Sequence, residues 1–132
     1  IQPSLNFLLE LDETVSLPAN IDSLRFTQVI SNFLNNANKF TKEGTITLGG
    51  KIDKEHREVC VYVKDTGKGI DDKELMMIFD RFYKTDEFEQ GSGLGLSISK
   101  VIIERLAGRI EVDSEVGKGS CFSVVLSLAS TI

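Results

Sequence analysis

The sequence predicts an α/β fold, a two-layer sandwich in which about three helices cover one face of a mixed, mostly antiparallel sheet. Two kinds of pattern carry this prediction. Some segments are apolar or alternate apolar with polar residues, as strands do, and others repeat apolar residues every three or four positions, as amphipathic helices do. Their order along the chain is strand, helix, two strands, short helix, loop, helix and two strands, which favours helices packed on one sheet.

The first half of the chain supplies a strand, a long helix and a hairpin. Residues 4–12 have the apolar density of a strand, and a connection that contains Pro18 follows. Asp22 is placed to cap the helix that comes next. The apolar stripe of this helix consists of Phe26, Val29, Ile30, Phe33, Leu34, Ala37 and Phe40. Residues 45–52 and 58–64 are strand-like, and the polar segment between them predicts a hairpin turn.

The second half supplies a short helix, a longer helix and two final strands. These elements are a short helix over 71–82, a loop over 84–91, a helix over 94–106 and strands over 109–113 and 120–128. Asp71 or Asp72 is placed to cap the short helix, and Gly108 is placed to end the longer one.

Length, charge and cysteine usage restrict the classes of function. A net charge of −5 argues against a nucleic-acid binder, and no apolar run is long enough for this segment to insert directly into a membrane. The 132 residues predict a single domain over 1–132, and the lack of an initiator Met favours a fragment of a longer protein. Cys60 and Cys121 have no CxxC spacing, which favours buried free thiols.

The long helix contains four asparagines within eight residues, although Asn is a mediocre helix former. At 3.6 residues per turn, Gln28, Asn32, Asn36 and Lys39 share one face, opposite the apolar stripe. This face is either a solvated surface or a ligand site. An amide oxygen can complete the shell of Mg²⁺, and a Lys one turn along can reach phosphates that the metal bridges. The other two asparagines, Asn35 and Asn38, have no explanation in the sequence.

Two glycine-containing segments are further candidate sites. In "DTGKGI", Asp65 follows a strand and can accept a hydrogen bond from an exocyclic amino group, while Gly67 and Gly69 allow a flat base to approach the backbone. The alternative is a simple turn. In "GSGLGL", residues 91–96, glycines precede a helix, which indicates a flexible loop or a phosphate site. The spacing fits neither a dinucleotide-binding motif nor a P-loop.

Five segments in this order resemble the motifs of one family. "QVISNFLNNANKFT", "DTGKGI", "IFDRFYK", "GSGLGLSISK" and "GRIEVDSEVGKGSCFSVVL" are similar to the asparagine box, first glycine box, phenylalanine box, second glycine box and terminal strands of the catalytic ATP-binding domain of sensor histidine kinases. The resemblance runs from about residue 5 to residue 128 and implies a Bergerat-type sandwich that binds ATP and Mg²⁺. Asn38 and Ala107 depart from the usual pattern at positions where no ligand contact is expected.

The resemblance implies roles for the residues of the two boxes that flank the first hairpin. Asn36 would bind Mg²⁺, Lys39 would contact phosphate, and Asn32 would support the same catalytic face. Asp65 would bind the adenine amino group, and a water held by Ser120 would assist it. The other implied contacts of this box are Gly67, Gly69 and Ile70.

The resemblance also implies a mobile lid over about residues 81–92. Its hinge and phosphate contacts would be Gly91, Ser92, Gly93, Leu94, Gly95 and Leu96. Phe79, Phe82 and Tyr83 match the aromatic box that anchors the lid, or else they pack a short helix on the core. Lys84 is either a solvated lid residue or an extra phosphate contact.

The implied function is that of a protein histidine kinase. Family members that hydrolyse ATP have Glu where this chain has Asn32, and an amide is no general base, so negligible hydrolysis is expected. His56 stands in a charged turn, so the acceptor histidine is expected on a separate dimerisation domain of the same protein. A response regulator receiver domain is the further partner that the resemblance implies, and the expected location is the cytoplasm. Whether the parent protein is anchored in the inner membrane stays open. The alternatives are a non-catalytic nucleotide-sensing module and an anti-sigma-type serine kinase with the same pocket.

Overall fold

A computed structural model describes residues 5–11, 23–79 and 95–127 of the chain. In chain order its elements are β1 (Leu5–Leu11), α1 (Ser23–Phe40), β2 (Gly44–Asp53), β3 (Glu58–Asp65), α2 (Asp72–Leu75), α3 (Gly95–Arg105), β4 (Arg109–Glu115) and β5 (Gly119–Ser127). This order confirms the one predicted from the sequence. Among the described residues, no helix combines the length and the apolar character that crossing a membrane requires.

The strands form one five-stranded sheet in the order β1-β2-β3-β5-β4. β1 pairs with β2 in parallel, and the other three pairs are antiparallel, which confirms the mixed, mostly antiparallel sheet. The register brings the ends of two separate segments together, because Asp65 at the end of β3 lies opposite Ser120 at the start of β5. Ser114 of β4 lies opposite Ser120 of β5, so β4 also reaches the end of β3 where Asp65 lies.

The core lies between the helices and one face of the sheet. α1 buries Phe26, Val29, Phe33 and Ala37 at spacings of three or four, as its pattern predicts. The core is completed by Ile46, Val59, Val61, Val63, Ile70, Ile78, Leu96, Ile103, Phe122, Val124 and Leu126. Each large side chain buried in this way contributes about 1.5–3 kcal/mol of transfer free energy. The core therefore holds α1 and α3 on the sheet and fixes the polar residues at their edges.

Helix ends differ from the prediction in two places. α2 stops at Leu75 and not near residue 82, because the Met77 N–H bonds the Glu74 carbonyl at 2.8 Å and the chain tightens into turns. Asp71 is its cap, with its carboxylate 2.8 Å from the Glu74 N–H. At the end of α3 the left-handed residue is Ala107, with φ of 62°, while the Gly108 N–H bonds the Ile103 carbonyl at 2.9 Å.

The two cysteines are free but only half-buried, which corrects the expectation of buried thiols. Cys60 on β3 and Cys121 on β5 alternate with buried residues, so they lie on the face of the sheet away from the helices. No second layer covers that face among the described residues. Partial burial raises the pKa of both the Cys60 and the Cys121 thiol. The predicted cap Asp22, the Pro18 connection and the loop over 84–91 lie outside the described residues.

His56 lies in the exposed turn between β2 and β3, in agreement with its expected place in a surface turn. Its Nδ1 is 2.7 Å from Asp53 Oδ2, and its backbone N–H donates to Asp53 Oδ1 at 3.1 Å. The hydrogen bond to Asp53 raises the pKa of His56 and lowers the pKa of Asp53. The contacts of His56 are those of a turn residue.

Candidate functional site

The polar residues of α1 fall into two rows with different surroundings. Gln28, Asn32, Asn36 and Lys39 are half-buried, because this row lies beside the apolar stripe and not opposite to it. Asn36, for example, is about 60° around the helix from the buried Phe33. The exposed polar residues of the helix are Arg25, Thr27, Ser31, Asn35 and Asn38. A solvated face therefore describes the second row, and nothing in the structure explains why two asparagines stand there.

Asn32 joins α1 to α3. Its Nδ2 donates to the Ser99 hydroxyl at 3.0 Å, and Ser99 is fully buried. This part-buried hydrogen bond fixes the orientation of the amide and the separation of the two helices. The sequence offered no signal for this contact, because the two residues are 67 positions apart.

Lys39 carries a buried ammonium group at the end of α1. Its Nζ has no hydrogen-bond partner among the described residues. Lys39 borders an open cavity of about 570 Å³, whose other lining residues are Phe40, Lys42, Glu43, Thr66, Gly67 and Lys68. Among the described lining residues, three lysines against one glutamate make the lining positive, although the net charge of the chain is −5. Because burying an uncompensated cation is unfavourable, the cavity suits an anionic ligand.

Asp65 supplies a buried carboxylate directly before Thr66 and Gly67, which line this cavity, and 5% of its surface is exposed. Its Oδ1 accepts hydrogen bonds from the Gly67 N–H at 2.9 Å and from the Ser120 N–H at 3.3 Å. Burial raises the pKa of Asp65, while these two N–H groups and the nearby Thr41 hydroxyl act in the opposite direction. The carboxylate is thus held as a positioned acceptor at the end of β3.

The two glycines of the "DTGKGI" turn are required by contacts with the protein itself. A Cβ on Gly67 would lie 2.5 Å from the Phe40 carbonyl oxygen at the end of α1. Gly69 has φ of +75°, and its Cβ would lie 2.2 Å from the Glu115 carbonyl oxygen. The sequence interpretation attributed both glycines to the approach of a base, whereas this packing already excludes any side chain there.

Two residues of the β4–β5 hairpin hold the same turn and were not singled out from the sequence. The Ser114 hydroxyl accepts from the Ile70 N–H at 2.8 Å and lies 2.7 Å from the Ser120 hydroxyl. Gly119 approaches so closely that a Cβ would lie 2.0 Å from the Asp65 carbonyl oxygen. For Gly119 the only signal in the sequence was a glycine at the start of a predicted strand. Nothing in the sequence pointed to Ser114.

Ser120 takes part through its backbone as well as its side chain. Its N–H donates to Asp65, and its hydroxyl is engaged with Ser114. The sequence interpretation gave this hydroxyl the task of holding a water. In the structure the residue is 6% exposed and ties the hairpin to the carboxylate.

The glycine-rich segment is described only at its end. Gly95 is the first residue of α3, and Leu96 is buried in the core. Phe79 packs edge-on against Phe122 with 6.5 Å between ring centroids, so core packing accounts for it. The other residues of the predicted lid and its aromatic box lie outside the described residues, namely Gly91, Ser92, Gly93, Leu94, Phe82, Tyr83 and Lys84.

Comparison with known proteins relates the chain to one family of ATPases and to a sensor protein. Residues 21–130 match the family described as histidine kinase-, DNA gyrase B- and HSP90-like ATPases. The sensor protein SrrB of Staphylococcus aureus (strain NCTC 8325 / PS 47) is 44% identical over 109 residues, which are 80% of this chain and 18% of SrrB. The chain thus spans less than a fifth of the length of this relative.

Two solved structures have the same fold. Full-length ShkA in complex with AMPPNP superposes with a TM-score of 0.78 at 31% identity, over 92% of this chain and 25% of ShkA. The nucleotide-free catalytic domain of the histidine kinase ThkA superposes with a TM-score of 0.78 at 29% identity, over 94% of this chain and 79% of that chain. The chain therefore belongs to the histidine kinase-, DNA gyrase B- and HSP90-like ATPase family, as a catalytic ATP-binding domain of the sensor histidine kinase type.

Proposed function

We propose that this chain binds Mg²⁺-ATP in the region between the end of α1 and the "DTGKGI" turn and presents the γ-phosphoryl group to a histidine on a separate domain. The observation that carries the proposal is one cavity bordered by both Lys39 and Gly67. The buried ammonium of Lys39 has no hydrogen-bond partner in the part of the chain that the structure describes, and the Gly67 N–H donates to the buried Asp65 carboxylate. A cation and a carboxylate so arranged suit the two ends of one nucleotide.

The base end of this proposal rests on Asp65. Its carboxylate accepts hydrogen bonds and cannot donate them when ionised, so it selects a ligand edge that donates, such as the exocyclic amino group of adenine. The hydrogen bonds from the Ser120 and Gly67 N–H groups hold the carboxylate in place before the base binds. Preorganisation of this kind lowers the entropic cost of binding.

The phosphate end rests on Asn36 and Lys39. Both are half-buried on one row of α1, and the Lys39 ammonium lacks an anionic partner among the described residues, which fits a phosphate. A single amide oxygen from Asn36 fits Mg²⁺, because this ion usually keeps waters and phosphate oxygens in most of its positions. When bound, Mg²⁺ supplies positive charge that neutralises the β- and γ-phosphates. The side chains of this row orient the phosphates.

Asn32 supports a kinase in preference to a hydrolase. Its Nδ2 is committed to Ser99, and an amide has no proton-accepting strength with which to activate water. We therefore propose negligible hydrolysis of bound ATP. The glycine segment before α3, with Gly95 at the helix start, would add backbone N–H groups for phosphate oxygens.

Other domains accept the phosphoryl group and transfer it onward in the proposed reaction. We propose that the phosphoryl acceptor is a histidine on a dimerisation domain of the same protein and that a response regulator receiver domain takes the group onward, in the cytoplasm. SrrB, which is named a sensor protein, is more than five times as long as the matched segment and supports such a multidomain parent. No contact with nucleic acid is proposed, in line with the net charge of −5.

Exchange of Asn36 for Ala tests the metal part of the proposal. Because a metal ligand is lost, the affinity for a non-hydrolysable ATP analogue in the presence of Mg²⁺ should fall at least about tenfold, while affinity in EDTA stays near its parent value. Isothermal titration calorimetry measures both. Asn35→Ala is the matched control, since this exposed residue stands next to Asn36 on the other row. Equal affinities for the two variants with Mg²⁺ would remove Asn36 from the site.

A further inference from the structure

Thr41 carries a buried hydroxyl that makes no hydrogen bond of regular geometry to any described residue. The residue follows α1 directly, is fully buried, and satisfies its backbone N–H with the Ala37 carbonyl at 3.1 Å. Its Oγ1 is buried as well and has no hydrogen-bond partner within the described part of the chain. A valine would fill almost the same volume without burying a hydroxyl, so packing alone does not account for threonine here.

The hydroxyl lies at the carboxylate that we assign to the base. A Cβ built on Gly67 would be 2.8 Å from Thr41 Oγ1 and 3.0 Å from Asp65 Oδ1, so the two oxygens flank the same point. The Thr41 hydroxyl is close enough to lower the pKa of Asp65, yet it makes no hydrogen bond of regular geometry to it in the described residues. A small shift of either side chain would complete that bond.

Asp65 has capacity for this additional donor. Its Oδ1 receives two N–H groups, from Gly67 and Ser120, whereas an ionised carboxylate offers about four acceptor positions. A donor on the carboxylate favours the ionised form, which is the form that accepts from an amino group. A Thr41 hydroxyl that donates to Asp65 would therefore keep the carboxylate in the form that the recognition of an amino group requires.

We propose that Thr41 is a positioning residue for base recognition, whose hydroxyl donates to the Asp65 carboxylate and orients it toward the exocyclic amino group of the bound purine. This inference rests on the proposed function and deepens it. Thr41 acts on the ligand through Asp65 and makes no contact with the phosphates or the metal. The consequence is that its effect depends on the amino group of the base.

A double-mutant cycle between the protein and the ligand tests this role. Thr41→Val removes the hydroxyl at nearly constant volume, and purine riboside triphosphate lacks only the exocyclic amino group of ATP. Thr41→Val should lower the affinity for ATP about tenfold, the size expected for a hydrogen bond to a charged group, and change the affinity for purine riboside triphosphate less than about twofold. Thr41→Ser, which keeps the hydroxyl, should stay within about threefold of the parent for both ligands.

The outcomes separate this inference from the proposed function. Equal losses for the two ligands in Thr41→Val would mean that Thr41 only supports the fold, and no loss for either would remove it from the site; both overturn the inference. Thr41→Ala is measured in parallel, with circular dichroism confirming that the variants fold, so that a folded variant without the hydroxyl is compared. Failure of the parent chain to bind ATP would instead contradict the proposed function.

Discussion

Replacement of Asp65 by Asn is expected to abolish most of the nucleotide affinity without weakening the fold. The amide presents an NH₂ group to the amino group of adenine, so two donors face each other and a hydrogen bond to a charged group is lost. The affinity for an ATP analogue should therefore fall about 100-fold. The amide oxygen of Asn can still accept from the Gly67 and Ser120 N–H groups, which preserves the turn.

The thermal stability of ligand-free Asp65→Asn should not fall, although its nucleotide affinity does. Because burial raises the pKa of Asp65 above its ordinary value of 3.8, the folded state binds this proton more tightly than the unfolded state does. The contribution of this group to stability is greatest at acid pH, and it is lost as pH rises through the raised pKa. At pH 8 the ionised carboxylate is a cost that Asn removes, so the unfolding temperature of Asp65→Asn should equal or exceed that of the parent.

Thermal unfolding followed by circular dichroism between pH 4 and pH 8, together with titration of the ATP analogue, measures both effects. A variant that loses affinity only because it is unfolded at the assay temperature would contradict this account. So would a variant that binds the analogue as tightly as the parent, because Asp65 would then have no part in recognising the base.

Replacement of Gly119 by Ala is expected to have the largest effect on stability. The residue has φ of +127°, and a Cβ would stand 2.0 Å from the backbone carbonyl oxygen of Asp65. Neither backbone can yield easily, because Asp65 and Ser120 are paired across β3 and β5. Strain in the φ angle and the steric clash together should lower the free energy of unfolding by about 3 kcal/mol or more.

Gly117 provides a matched control in the same hairpin. It has φ of +86°, but a Cβ on it would meet no atom of the described residues within 4 Å. Gly117→Ala should therefore show the backbone strain alone, about 1–2 kcal/mol. Urea denaturation gives both free energies of unfolding, and equal losses in the two variants would show that the approach of Gly119 to Asp65 is unimportant.

The order of elements could be predicted from the sequence because periodicity is a property of each segment by itself. The apolar spacing of α1 and the alternation in β2 and β3 depend only on which face of the segment meets the core. The end of α2 at Leu75 was not predictable in this way, since short helices have few residues from which to judge a period. Local chemistry did identify Asp71 as one of two candidate caps.

The candidate site was only partly accessible from the sequence, for a physical reason. Asn36, Lys39 and Asp65 stand out because their residue types are unusual for a helix face or suited to a strand end. Ser99, Ser114 and Thr41 act through partners that are distant in the sequence or across a turn, and their own neighbourhoods are unremarkable. Contacts of that kind follow from strand register and helix packing, which single-segment patterns do not encode.

The glycines of the "DTGKGI" turn illustrate the same limit. Their position could be predicted, but their reason could not, because the atoms that exclude a Cβ belong to Phe40 at the end of α1 and to Glu115 on β4. The turn is thus clamped between a helix and a hairpin before any ligand binds. This explains how a short polar segment can hold a carboxylate in a fixed orientation.

A crystal structure of the chain with Mg²⁺ and a non-hydrolysable ATP analogue is the decisive test of the proposed nucleotide site. We expect the exocyclic amino nitrogen within hydrogen-bond distance of the Asp65 carboxylate, the metal bound by the Asn36 amide oxygen, and the Lys39 ammonium in contact with a phosphate oxygen. A nucleotide bound elsewhere, or one whose base lies away from Asp65 while the phosphates contact neither Asn36 nor Lys39, would contradict the proposal.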